Sequence, residues 1–416
     1  DYQHDISTKA CQLLHDYKIA YLSMQVRTGK TITALETCRK YGAKVVTFVT
    51  KKKAIPSIEQ DYRMNYSQDF MLYLINYENL HHLGQTNSDV FILDEAHCLG
   101  GFPQMPSRAS QLKHLCTGAA IIYLSGTPSP ESYSQLFHQF HISSYSPFPV
   151  PSFYKWVWNG FVTPQTKHLY NREIKDYSHA NKEKIDQYCG HLFLSFTQEE
   201  AGFTELVQEH IHTVRMSPVT YNVSKKLQKD RLLNSIRNNH IETIEADTEV
   251  KLMNKLHQIY SGTVILDNTQ DPEYRIIDFS KVEYIKEKFA RKKIAIYYKF
   301  KAELQMLIKA FDDFMFELTT DAEHFNKTDH NVIYVSQFAS GREGVNLSSA
   351  DCLICLNIDF SAVTYFQVRA RIQSKDRHKE AQVHWIFAED GIEQKIYEVV
   401  KNKKNYTLSY FKKQYK

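Results

Sequence analysis

Short apolar runs recur along this chain between helix-length polar or amphipathic stretches, and that alternation restricts the fold more than any other feature. In the first third the runs are Ile19 to Met24, Val45 to Val49, Phe70 to Ile75, Val90 to Leu93 and Ala119 to Leu124. They are rich in β-branched and aromatic residues and apolar at consecutive positions. A strand buried on one face only would alternate instead, so the runs predict a parallel sheet covered by crossover helices on both faces. The last third repeats the pattern with Ile294 to Tyr298, Phe314 to Leu318, Val332 to Val335, Leu353 to Leu356 and Val383 to Phe387. Helices are expected there over Lys301 to Phe311 and Ile392 to Lys401.

Between these two α/β units the pattern changes. Pro147, Pro149, Pro151 and Pro164 cluster with Phe148, Phe153, Tyr154, Trp156 and Trp158, and helical stretches are expected over Lys182 to Tyr188 and Ser224 to Asn238. The expected division is residues 1–140, an insertion or linker region with an aromatic patch over 141–280 that also takes in the far end of the first domain, and 281–416. A length of 416 residues suits two domains with a modest insertion.

Composition narrows the setting. No stretch approaches the roughly 18 consecutive apolar residues of a membrane span, and seven cysteines are sparse and odd in number. Both point to reduced thiols and a cytoplasmic protein. Cys352 and Cys355 form a C-x-x-C inside an apolar run. Residues three apart on a strand face opposite ways, so the pair is expected in the core rather than on one metal. The net charge of +4 gives weak support for a polyanionic partner. Basic residues concentrate locally at Lys51-Lys52-Lys53, at Arg291-Lys292-Lys293 and in the C-terminal tail, where Tyr406, Tyr410, Phe411 and Tyr415 interleave with lysines. That mixture suits a nucleic-acid strand, and equally a solvated helix with its aromatics turned inward.

Two motifs carry chemistry. Arg27-Thr28-Gly29-Lys30-Thr31 lies between an expected strand and an expected helix over Ile32 to Arg39. A strand, a tight loop and a helix start present backbone N–H groups to a phosphate, with Lys30 reaching the terminal phosphates and the Thr31 hydroxyl binding Mg²⁺. Met24 stands where the full phosphate-loop pattern has its first glycine. The second motif is Asp94-Glu95-Ala96-His97, directly after the run Val90 to Leu93. A buried strand ending in two acids delivers both carboxylates to one sheet edge. Asp94 then holds the Mg²⁺ shell, and Glu95 orients and deprotonates the attacking water.

With these motifs in this order the chain resembles the superfamily 2 helicases, including DEAH-type and Swi/Snf-like translocases, and most of all the compact versions that phages encode. The likeness covers about two-thirds of the chain and implies two RecA-like domains of α/β class, with ATP and Mg²⁺ as cofactors. It implies that Tyr2-Gln3 stands for the upstream glutamine motif that reads adenine, and that Arg27, Thr28, Gly29, Lys30 and Thr31 contact nucleotide. Ser125-Gly126-Thr127 would be motif III, which couples hydrolysis to domain movement. Val49-Thr50-Lys51-Lys52 resembles motif Ia and Ile75-Asn76-Tyr77-Glu78 motif Ib, which implies nucleic-acid contacts from Lys51, Lys52, Asn76 and Tyr77. In the last third, Ile296 to Phe300 resembles motif IV. Ser340 to Leu347 resembles motif V, with Ser340 and Gly341 towards nucleic acid and Gly344 towards nucleotide. Gln367-Val368-Arg369-Ala370-Arg371 resembles motif VI, whose arginine, here Arg371, reaches the γ-phosphate. The position of the family's second arginine holds Ser374, with Lys375 and Arg377 as neighbours that could stand in.

The implied activity is an ATPase that moves along or unwinds DNA, whether duplex, forked or single-stranded. RNA, an ATP-gated clamp, and a motor subunit working with replication, recombination or restriction proteins are the alternatives. If the chain is phage-encoded, the expected setting is the host cytoplasm.

Overall fold

The structure, a computed structural model, describes residues 2–84, 87–169, 172–202, 207–237, 240–267, 273–312, 316–328, 332–341, 345, 347, 349–373, 380–402, 406 and 410–411. The chain is α/β and divides into two compact units, residues 1–203 and 204–416. Each is a six-stranded parallel sheet flanked by helices, the architecture expected of a RecA-like domain.

In the first unit the strands are β1 (Ile19–Met24), β2 (Val45–Thr50), β3 (Met71–Asn76), β4 (Val90–Leu93) and β5 (Ala120–Leu124). The hairpin β6 (Gln165–Leu169) and β7 (Arg172–Asp176) follows, and then β8 (Phe193–Phe196). The sheet order is β3-β2-β4-β5-β1-β8, with every pairing parallel. Successive residues of one strand feed opposite cores. Tyr21, Phe91 and Tyr123 face one side, while Leu22, Ile92 and Leu124 face the other. Helices Tyr2–Tyr17 and Lys30–Tyr41 cover the second side with Ile6, Ala10, Leu14, Ala34, Leu35 and Cys38. The first side is covered by aromatics from beyond residue 136, among them Phe137, Phe148, Phe153, Trp156 and Phe161.

The second unit begins with β9 (Gln208–Val214). Two hairpins follow, β10 (Leu232–Arg237) with β11 (His240–Glu245), and β12 (Thr263–Ile265) with β13 (Tyr274–Ile276). Then come β14 (Ile294–Tyr298), β15 (Glu317–Thr319), β16 (Val332–Gln337), β17 (Cys352–Cys355) and β18 (Gln382–Ala388). The sheet order is β15-β16-β14-β17-β18-β9, again parallel throughout. Cys352 and Cys355 are both buried and enter different cores, on opposite faces of β17. Among the described residues, no helix is long and apolar enough to cross a membrane.

Two sequence expectations need correction. Residues 141–280 do not form one intervening body: the part up to 203 packs with the first unit and the rest with the second. The physical reason is that the aromatic cluster is the cover of the first sheet, and that β8 and β9 each form one edge of their sheet. The helix expected over Ser224 to Asn238 runs instead over Pro218–Asp230. It stops where Arg231 turns left-handed at φ 61°, and the chain then pairs as the antiparallel hairpin β10–β11.

The second unit also holds a fully buried ion pair, Lys281 Nζ to Glu393 Oε1 at 2.6 Å, with side-chain exposures of 1% and 0%. Removing one member strands the other charge without water, which costs far more than the intact pair contributes. Lys281→Met is therefore expected to lower unfolding stability by about 3–5 kcal/mol. Adding Glu393→Leu should recover most of that loss in urea titrations. A single mutant as stable as the wild type would contradict the burial described.

Candidate nucleotide-binding site

The site forms where β1, β5 and β4, three neighbouring strands, end at one edge of the first sheet. In parallel α/β sheets ligands collect outside the carboxyl ends of the strands, since helix starts and loop amides face that edge. β1 ends at Met24, which is buried in the core, and the helix Lys30–Tyr41 begins after a loop of five residues. The loop between them bends through two left-handed residues, Arg27 at φ 65° and Gly29 at φ 80°. At Gly29 conformation and space agree, because a Cβ there would lie 1.8 Å from the side-chain nitrogen of Gln3. Thr28 Oγ1 donates to the Gln25 carbonyl at 2.7 Å. Lys30 Nζ donates to the carbonyls of Met24 at 3.1 Å and Gln25 at 3.4 Å, so the ammonium arches over its own loop. Thr31 is half-buried in the first turn of the helix.

β4 delivers the two acids. Asp94 is held by its backbone N–H on the Val49 carbonyl at 2.9 Å. Its carboxylate accepts from Thr50 Oγ1 at 2.7 Å and from the Glu95 backbone N–H at 2.9 Å. Burial, and then the adjacent Glu95 charge, push its pKa up to about 6, against the opposing pull of the Thr50 hydroxyl and the Lys30 ammonium. Lys30, Asp94 and Glu95 thus share one electrostatic neighbourhood. Glu95 is left-handed at φ 49°, and its Oε2 lies 3.3 Å from His97 Nδ1. That nitrogen is also 3.1 Å from Ser125 Oγ, which accepts from the Thr127 N–H at 3.1 Å. Gly126 closes the convergence: a Cβ there would come within 3.3 Å of the Met24 carbonyl oxygen. The segments 24–31, 94–97 and 125–127 therefore meet in one place.

This donor set fits a magnesium nucleotide. Mg²⁺ takes few protein ligands and completes its octahedron with phosphate oxygens and water. Asp94 and Thr31 would hold it. Among the described residues no group of three or more His, Cys, Asp and Glu forms a dedicated metal cage. The helix start and the Lys30 ammonium would take the phosphates.

Other sequence expectations fare differently. Gln3 packs on the phosphate loop, as its amide beside Gly29 shows. Lys52 is exposed on the short turn Lys52–Ala54, and Lys51 is half-buried just before it. The side chains of Asn76 and Tyr77, by contrast, are turned inward. Asn76 is buried and its Oδ1 caps the following turn at the Asn79 N–H, 3.1 Å away. Tyr77 is buried in the core with its hydroxyl donating to the Asp94 carbonyl. Tyr77 thereby ties the end of β3 to the end of β4, while Asn76 shapes its own turn.

In the second unit Ser340 and Gly341 end the short helix Phe338–Gly341 after β16, while Gly344 lies outside the described residues. Arg371 is buried, on a tight turn (Ala370–Ile372) that follows the helix Ala362–Arg369. Ser374, Lys375 and Arg377 lie outside the described residues. Arg369 Nε lies 3.0 Å from Glu209 of β9. The same carboxylate accepts from Tyr365 at 2.8 Å and from Trp385 Nε1 at 2.9 Å.

Sequence reasoning missed two supports of the site. Thr50 was visible only as part of a motif likeness, and Gln198, described below, carried no signal at all. No known family model matches the chain, and no curated protein is significantly similar to it.

The Asp94 carboxyl gives a pH-dependent test. Raised from 3.8 to about 6, it is ionised at about pH 8 and protonated at about pH 5. A raised carboxyl pKa in the fold means its buried charge opposes stability above that pKa and is relieved as pH falls. The Thr50 hydroxyl moderates the cost by donating to the charged form. Thr50→Val is expected to cost about 2 kcal/mol at the higher pH, and clearly less at the lower one. Equal losses at both pH values in denaturant titrations would mean that Asp94 is not charged where Thr50 meets it.

Proposed function

We propose that this chain is a nucleic-acid-dependent ATPase of the superfamily 2 type that translocates on or unwinds DNA in the cytoplasm. The observation that carries this reading is the meeting of Lys30, Asp94, Glu95 and the Ser125–Thr127 segment at one sheet edge. Two carboxylates, a lysine and a helix start at one place are what phosphoryl transfer to water requires.

The residues divide the work by their chemistry. Lys30 leaves the loop carbonyls to neutralise phosphate charge. Asp94 and Thr31 would hold Mg²⁺, which would supply positive charge to offset that of the phosphates. Glu95 aligns the attacking water and takes its proton, and His97 passes its position to Ser125. Arg371 is the proposed source of transition-state charge stabilisation, a role that rests on the motif VI likeness. Arg369 is assigned to holding its helix against β9, because its Nε already faces Glu209. Lys51 and Lys52 are the proposed backbone-binding residues.

Turnover measured with single-stranded DNA, duplex DNA, forked DNA and RNA as separate stimulants tests the reading and its alternatives. ATPase activity should be low alone and rise with DNA. Lys30→Ala should abolish turnover, and Glu95→Gln should keep ATP binding while stopping hydrolysis. Arg371→Ala should reduce kcat at saturating DNA far more than Arg369→Ala does. A Glu95→Gln protein hydrolysing at the wild-type rate would remove the general base, and with it the mechanism. Charge reversal at Lys51 and Lys52 is expected to weaken DNA binding for all sequences alike and to flatten its salt dependence. Unchanged affinity at every salt concentration would count against that surface.

A further inference from the structure

The phosphate loop lacks its usual first glycine, yet it still contains a left-handed non-glycine residue, Arg27 at φ 65°. Something outside the loop must hold that conformation, since an L residue does not prefer it. The segment after β8 supplies the restraint. The Gln25 backbone N–H donates to the Phe196 carbonyl at 2.9 Å. Gln25 Oε1 accepts from the Gln198 backbone N–H at 2.8 Å, and Gln198 Nε2 donates to the Val26 carbonyl at 3.0 Å. Gln25 thus holds the Gln198 main chain, and Gln198 holds the Val26 carbonyl beside Gln25. On the far side of Arg27, the Tyr2 hydroxyl donates to the Thr28 carbonyl at 3.2 Å, and the Tyr2 ring stacks on Phe196 at 4.5 Å.

Peptide geometry gives the clasp its consequence. In a trans peptide C=O and N–H point opposite ways. Drawing the Val26 carbonyl towards Gln198 turns the Arg27 N–H away from Gln198, as a donor on the other side of the loop. A glycine-rich loop reaches such orientations through its own backbone freedom. This loop reaches them through side chains from elsewhere in the unit.

We propose that Gln198 is a positioning residue for the phosphate loop, fixing the Val26–Arg27 peptide in an orientation that a glycine at position 27 would reach unaided. The inference rests on the reading that this loop binds nucleotide phosphates. Gln198 is half-buried and belongs to neither core, so replacing it leaves the sheet packing intact.

The test uses the full chain and titrates binding of Mg²⁺ with a fluorescent ATP analogue. Gln198→Met keeps the side-chain length and removes the donor. It is expected to weaken nucleotide binding about ten-fold, the worth of one well-made hydrogen bond, while kcat at saturating ATP stays within about two-fold. The same substitution is then made in an Arg27→Gly background, where glycine adopts the left-handed conformation unaided. There the penalty should shrink to less than about two-fold, because the clasp is no longer needed. A penalty of equal size in both backgrounds, or no penalty in either, overturns the proposal. Lys30→Ala separates the two levels of failure. If Lys30→Ala binds nucleotide like the wild type, the nucleotide reading itself fails. If it loses binding while Gln198→Met does not, only the role of Gln198 fails.

Discussion

Burying both faces of a parallel sheet is the constraint from which the rest follows. A strand apolar at every position has no face to give to water, so helices must cover it twice, and polar chemistry is pushed to the strand ends. In the first unit β4 runs without a polar residue from Val90 to Leu93 and then places Asp94 and Glu95 at its end. β1 does the same for the phosphate loop, and β5 for Ser125. Their adjacency in the order β4-β5-β1 makes three separate stretches of sequence into one site.

The site is held under electrostatic tension. Asp94 is buried beside Glu95, and both factors raise its pKa to about 6. A divalent cation would relieve this by favouring the charged carboxylate. Lys30 meanwhile rests on main-chain carbonyls, contacts that a phosphate would outcompete, because a dianion attracts an ammonium more strongly than a carbonyl dipole does. The site is thus arranged around charges that a magnesium nucleotide would complete, and the proposed ATPase reading follows from that arrangement.

Tyr77 illustrates how support and function share a strand end. Its likeness to a nucleic-acid contact came from its place after β3, but its hydroxyl is spent on the Asp94 carbonyl and its ring is buried in the core. Asn76 is likewise spent as a turn cap. Motif likeness locates a loop, whereas burial decides which of its side chains are available. For the second unit, Arg369 makes the same point: a cation facing a carboxylate that also gathers three aromatic donors acts first as a fastening for its helix.

The sequence by itself determined the α/β class, the central strands of both sheets, the Arg27–Thr31 loop between a strand and a helix, and the acidic strand end. These are written in contiguous residues: an apolar run of strand length, or four motif residues in a row. Only the tertiary structure decided the outer strands β8 and β9, the allocation of the aromatic cluster to the first sheet, and the Gln25–Gln198 clasp. β9 carries Gln208, Glu209, His210 and His212, so it lacks the apolar signature that marks a central strand, as edge strands often do. Gln25 and Gln198 are 173 positions apart in sequence. Nothing in either glutamine's neighbours predicts the other, because their meeting depends on β8 adding beside β1, a pairing that exists only once the sheet has formed.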